Sequence, residues 1–183
     1  MAPLSVIELG RCDYAEMVAL QERLAADRLE GMIPDLLLLL EHPPTYTLGS
    51  RSEPADLIHD ADWYRERGIE ICGTPRGGKV TYHGPGQLVA YTIVDLRGIG
   101  EQPVGADRVD VAAFVVALEG AMATALDQWG LAAGRIEGLT GLWVDDARPL
   151  RGDFAGADAA SAAPGLARGS IRKIGSIGLK VRR

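Results

Sequence analysis

The chain has 183 residues with 19 Lys and Arg against 25 Asp and Glu, a formal charge of −6 that argues against a nucleic-acid binder. Hydrophobic residues make up 47% and charged residues 24%, which excludes a disordered or fibrous chain and predicts one globular domain over residues 1–183. The longest strongly apolar run, Leu36 to Leu40, falls far short of the roughly 20 residues of a membrane span, so no membrane contact is expected.

No basic-then-apolar secretory signal opens the sequence, and the expected location is the cytoplasm. Residues 4 to 8 read as a strand. Asp13, with Glu16 three residues on, predicts a capped helix from Tyr14 to about Glu30, with Tyr14, Met17, Val18, Leu20, Leu24 and Leu29 for its buried face. Leu36 to Leu40, bounded by Pro43-Pro44, reads as a buried strand continuing irregularly to Leu48, and residues 68 to 72 alternate like another. Gln87 to Asp95 is strand-like. Val111, Phe114, Val115, Leu118, Met122, Leu126 and Trp129 then recur at helical steps and predict a core-facing helix stopped by Gly130. A short strand from Leu142 to Asp145 and a final one from Ile171 to about Val181 complete an α+β or mixed α/β pattern. Between them, residues 146–170 are rich in Ala, Gly, Asp, Pro and Arg and predict a flexible loop insertion.

Chemistry concentrates in Arg76-Gly77-Gly78-Lys79-Val80-Thr81-Tyr82-His83-Gly84-Pro85-Gly86-Gln87. Gly77-Gly78 lets another molecule approach the main chain, Val80 to His83 reads as a strand, and Gly84-Pro85-Gly86 as a tight turn. Exposed N–H groups near Arg76 and Lys79 can hold a carbonyl or phosphate oxygen, while the face carrying Val80 and Tyr82 can line an apolar channel. No Walker-type or Rossmann spacing is present. Cys12 and Cys72 form no CxxC pair and the three histidines lie in different segments, so neither a metal site nor a disulfide framework is expected.

The ordered run R-G-G-K-V-T-Y-H-G-P-G-Q resembles the signature of the lipoyl(octanoyl) transferases. Leu9-Gly10 with Asp13-Tyr14, Leu39 to Pro43 with Tyr46-Thr47 and Gly49, Gly141 to Val144, and Arg172 to Gly178 extend the resemblance in the same order along the chain outside 146–170. It implies an α+β catalytic domain of the biotin/lipoate protein ligase type, a mixed sheet flanked by helices. The implied activity moves an octanoyl group from octanoyl-acyl carrier protein to one lysine of a lipoyl domain, on 2-oxoacid dehydrogenase E2 subunits or on glycine-cleavage H protein, in lipoate biosynthesis. Thioester-to-amide transfer through a cysteine acyl-enzyme runs downhill, so neither ATP nor a cofactor is needed.

By the same resemblance Lys173 is the catalytic lysine that lowers the pKa of the nucleophilic cysteine. Arg76, Gly77, Gly78, Lys79, Val80, Thr81, Tyr82 and His83 line the acyl and thioester channel, with main chain from Ser176, Ile177 and Gly178. The family's cysteine belongs in a Pro-Cys-Gly segment downstream of the strand at Ile174 to Val181, whereas this sequence stops at Arg183. The domain is therefore expected to be C-terminally incomplete and the 183-residue chain inactive as written, neither Cys12 nor Cys72 taking the nucleophile's place. Two other readings stand beside this one: a non-catalytic binder of an acyl chain or carrier protein, and an ATP-dependent lipoate or biotin ligase. The second is disfavoured by H-G-P-G-Q and the lack of a ligase-type nucleotide loop.

Overall fold

The computed structural model describes residues 3–98, 109–145, 150, 152–154 and 171–181. Its elements run β1 (Leu4–Arg11), α1 (Tyr14–Leu29), β2 (Asp35–Glu41), β3 (Thr45–Leu48), α2 (Ala61–Glu66), β4 (Glu70–Gly73), β5 (Val80–His83), β6 (Val89–Ile93), α3 (Val111–Gln128), β7 (Gly134–Ile136), β8 (Leu139–Asp145), β9 (Gly152–Phe154) and β10 (Ile171–Gly175). Where composition reads as one domain, these residues divide into two compact units, Met1–Gly98 with Gly178–Arg183, and Ile99–Ile177.

In the first unit the β2 leucines alternate. Leu36, Leu38 and Leu40 are buried and the residues between them half-buried, as the two-residue period of a strand requires. β2 is the middle strand of a sheet, parallel to β1 and antiparallel to β6. Met17 of α1 and Val89 of β6 close the core over the leucines, with Leu20 and Leu24 partly buried beside them. Leu29, expected on that face, is 60% exposed because α1 ends there. The Asp13 side chain accepts the amides of Ala15 and Glu16 and fixes the helix start. β1 runs on from the expected residues 4 to 8 as far as Arg11, with a bulge between Glu8 and Gly10.

A second sheet places β3 between β4, parallel, and β5, antiparallel. Thr45 and Thr47 point to its buried side. Tyr46 on the other side pairs across the ladder with Tyr82, their rings 5.1 Å apart.

In the other unit the strand order is β10-β8-β7-β9. The β7–β8 hairpin turns at Gly138, φ +80. Within the stretch expected to be a flexible loop, β9 pairs parallel with β7 and Leu150 is buried; the rest of 146–170 lies outside the described residues. The last strand ends at Gly175, six residues before the expected Val181. A bulge at Ile174 breaks the register, and Gly178 onward belongs to the first unit, where the Leu179 carbonyl accepts the Gly77 amide at 3.5 Å.

α3 packs against β8. Phe114 is buried and Val111, Val115, Leu118, Met122 and Leu126 are half-buried. Trp129, expected in that stripe, is 73% exposed, since it is the C-cap residue where the chain turns into Gly130. By length and apolarity alone this 18-residue helix would suffice to cross a membrane, although no apolar run in the sequence suggested one.

Candidate active site

Tyr14 at the start of α1, His42 just after β2, His83 at the end of β5 and Tyr91 in β6 come from four elements and meet in the first unit. His42 is fully buried. Its Nδ1 lies 2.8 Å from the Cys12 carbonyl, which only accepts, so Nδ1 carries a proton, and its Nε2 lies 2.8 Å from the Tyr91 hydroxyl. Burial, reinforced by Tyr14, raises the Tyr91 pKa above its ordinary value and keeps that hydroxyl a donor. Tyr14 meets His42 edge-on at 5.2 Å and stacks with His83 at 6.0 Å, while the two histidine rings lie 5.7 Å apart.

Arg76 enters beside this cluster. Its Nη2 donates to the carbonyl and hydroxyl of Thr47 at 2.9 and 2.7 Å, and its Nη1 to the Gly77 carbonyl at 3.0 Å. Among the described residues no carboxylate pairs with it. Burial pulls its pKa below the ordinary arginine value, with Tyr14 and Tyr91 opposing. Two glycines make the room: a Cβ on Gly49 would collide with the Gly78 carbonyl and stand 2.8 Å from Nη1, and one on Gly178 would stand 3.0 Å from Cδ.

Thr47 links the guanidinium to His83. Its hydroxyl lies 3.3 Å from the Thr81 carbonyl and 3.4 Å from His83 Nε2. One arrangement satisfies all three neighbours: the hydroxyl donates to Thr81 and accepts from Arg76 and from an Nε2–H of His83. His83 Nδ1 is then left with a lone pair, and this buried nitrogen has no partner in good hydrogen-bond geometry, although the Gln87 side chain acts on the ring.

The environment also sets the charge of His83. Burial first, then the His42 ring and the Arg76 charge, bring its pKa from 6.5 to about 4, against the pull of Gln87. Between these two values the unfolded chain holds a proton that the folded chain refuses, so stability falls as pH drops through that window. The shift corresponds to on the order of 3 kcal/mol. Urea unfolding at about pH 7.5 and about pH 4.5 checks this: the wild type loses that stability and His83→Gln does not, whereas equal losses would contradict it.

The remaining motif residues scatter around this cluster. Gly78 takes φ +94, while Gly77 has open space where a Cβ would sit. Lys79 turns to Asp56 at 3.0 Å. The pleat separates the Val80 and Tyr82 face, expected to line an apolar channel, from the polar face of the same strand. In the β3–β5 register Thr47 stands opposite Thr81, so Thr81 and His83 share the polar face, and Tyr82 lies on the other, 41% exposed and packed over Gly84. A groove of about 500 Å³ along Glu8, Gly10, Arg11, Leu39 and Leu88 holds none of this cluster.

Lys173, Ser176 and Ile177 belong to the other unit, and Gly178 to the first, against Arg76. Lys173 stands opposite Trp143 in the β10–β8 register, Nζ 5.3 Å from the indole ring. Its side chain reaches solvent, yet the surrounding walls remove enough water to lower its pKa, with Glu119 opposing. Neither cysteine is prepared for attack. The Cys12 thiol donates to the Leu9 carbonyl at 3.4 Å, and burial with Glu70 pushes Cys72 up to about 12.

Sequence reading placed Tyr14 on the buried face of α1 and Tyr14, His42 and Thr47 within the segments of the family resemblance, but gave none of them, nor Tyr91 or Glu119, a role at the site. A histidine directly after an apolar strand, and a lone carboxylate on the α3 stripe, were the available signals.

A model of the lipoyl protein ligase A/B catalytic domain matches residues 13–183. An octanoyltransferase of Solibacter usitatus is 48% identical over 139 residues, covering 76% of this chain and 60% of that protein. One of Nocardia farcinica is 39% identical over 181 residues, covering 99% and 58%. The chain thus spans about three fifths of the length of the curated relatives it matches. Among solved structures, a bi-partite lipoate protein ligase with its E2 lipoyl domain from Thermoplasma acidophilum superposes with a TM-score of 0.54 at 18% identity, over 78% of this chain and 51% of that one. The fold is therefore of the biotin/lipoate protein ligase type, as the motif implied, and the chain belongs to the lipoyl protein ligase A/B catalytic domain family.

Proposed function

We propose that the intact protein is an octanoyltransferase of lipoate biosynthesis. It takes the octanoyl group from the thioester of octanoyl-acyl carrier protein and delivers it to the ε-amine of a lysine on a lipoyl domain. 2-Oxoacid dehydrogenase E2 subunits and glycine-cleavage H protein are the acceptors, in the cytoplasm. The reading is supported by relatives named octanoyltransferase at 39% and 48% identity. The observation that carries it in this chain is the buried Nδ1 of His83, its ring tied through Thr47 to a guanidinium that no carboxylate among the described residues pairs with. Both are groups set to meet a polar ligand atom.

In this mechanism a cysteine thiolate, in the Pro-Cys-Gly segment of the transferase family, attacks the thioester carbonyl. A new carbon–sulfur bond forms, the bond to the carrier breaks, and the carrier thiol leaves with a proton. The acceptor amine then attacks the acyl-cysteine, the amide forms, and the thiolate departs while the amine gives up a proton. Lys173 is assigned to hold the thiolate ionised and to move protons in the second step. Arg76, Gly77, Gly78, Lys79, Val80, Thr81, Tyr82, His83, Ser176, Ile177 and Gly178 are assigned to the acyl thioester, Val80 and Tyr82 from the face of β5 opposite to Thr81 and His83. Neutral near pH 7, His83 accepts a hydrogen bond from the incoming amine.

Incubating the intact protein with octanoyl-acyl carrier protein and a lipoyl domain, without nucleotide, tests the reaction. Mass spectrometry should find the target lysine octanoylated. Modification that appears only with ATP and a free acid would replace this reading by the ligase one, and carrier binding without transfer by the binder.

A further inference from the structure

Glu119 lies on the packed face of α3 and is only 5% exposed. A carboxylate in such a place is costly to bury unless it is well partnered. Its Oε1 accepts the Gly141 amide at 2.6 Å, a short charge-assisted bond. Gly141 has φ +111, a conformation open to glycine, and a Cβ there would collide with the Gly175 carbonyl and stand 3.0 Å from Lys173 Nζ. The lysine stem thus lies across the bare Cα of Gly141, while Glu119 holds the amide of the same residue.

We propose that Glu119 is a positioning residue for Lys173: it clamps the Gly141 peptide on which the lysine lies and supplies the negative charge that faces the ammonium. Two further observations agree. Among the described groups, Glu119 is the charge that acts on Lys173, opposing the dehydration that favours the neutral amine. Trp143, facing the lysine across the ladder, contributes a ring and no titratable group. Arg135 of β7 is the other charged residue lining, with Glu119, a cavity of about 270 Å³.

The inference deepens the transferase reading and rests on it for the lysine's role, but the lysine's ionisation is measurable without turnover. Glu119→Gln keeps an acceptor for the Gly141 amide and removes the charge. In the intact protein, competitive labelling with an amine-reactive reagent across pH, read at the Lys173 peptide, should show half-reaction about one pH unit lower in Glu119→Gln than in the wild type, and kcat for octanoyl transfer should fall about tenfold with KM unchanged. An unchanged labelling profile overturns the proposal. If the variant does not fold, Glu119→Asp, which keeps the charge but withdraws it by one methylene, takes its place: a lowered kcat at unchanged KM supports positioning, and wild-type kinetics overturn it. Wild-type transfer by a Lys173 variant would instead remove the catalytic reading of the lysine, a failure distinct from that of Glu119.

Discussion

Lys173→Met is expected to reduce octanoyl transfer by the intact protein about a thousandfold, within the range for loss of a proton-transfer group, with no loss of folding stability. The two halves of this result have different causes. Met preserves the length and apolar stem that lie over Gly141 and Trp143, so packing survives. The removed ammonium is one that its surroundings already disfavour, as its lowered pKa shows. What disappears is the positive charge that holds a nearby thiolate and the proton it can exchange. Lys173→Arg separates these roles. Arg keeps the charge and cannot give up its proton, so thiolate alkylation by iodoacetamide should stay near the wild-type rate while transfer remains low. Near-normal transfer by Lys173→Met would remove the lysine from the mechanism.

Two glycines of the first unit should behave in opposite ways. Gly49→Ala places a methyl group against the Gly78 carbonyl and 2.8 Å from Arg76 Nη1, and backbone on that side cannot swing away as a side chain would. Overpacking of this kind should cost about 3 kcal/mol, which for a chain of this size lowers Tm by about 10 °C. Gly77→Ala adds its methyl to open space at a residue without positive φ, and stability should change by less than about 0.5 kcal/mol. If the acyl thioester passes over Gly77 as proposed, the same substitution should raise KM for octanoyl-acyl carrier protein about tenfold, equivalent to roughly 1.4 kcal/mol of lost binding. Thermal melts of both variants with steady-state kinetics of Gly77→Ala check the contrast. An unstable Gly77→Ala, or an unaltered KM, would count against the assignment.

What could be read from the sequence was local. Asp13 and the apolar spacing announced α1, the leucine run announced β2, and Gly130 the end of α3, because caps and periods act within a few residues. β7 and β9 have three residues each, too few to show a period, and were not seen. The end of β10 depends on a bulge and on a chain that leaves its sheet, neither of which residue types announce. The motif residues Arg76 to His83 were found by their order, but the grouping of Thr81 and His83 with Thr47 was not, since which residues share a face across the sheet depends on the register of β5 with β3. His42, Tyr14 and Tyr91 meet only after α1, β2 and β6 have packed, and contacts among three distant segments leave no spacing to recognise. Glu119 was hidden for a related reason: its partner Gly141 is 22 residues away.

The central claim is that the segment from Arg76 to His83 receives the acyl chain. Loading acyl carrier protein with an octanoyl chain that carries a terminal diazirine, irradiating it with the intact protein and sequencing the labelled peptides tests this most directly. The account predicts adducts within residues 76–83 and 176–178, suppressed by excess octanoyl-acyl carrier protein. Suppressible adducts confined to the groove along Glu8, Leu39 and Leu88, with none on residues 76–83, would contradict it.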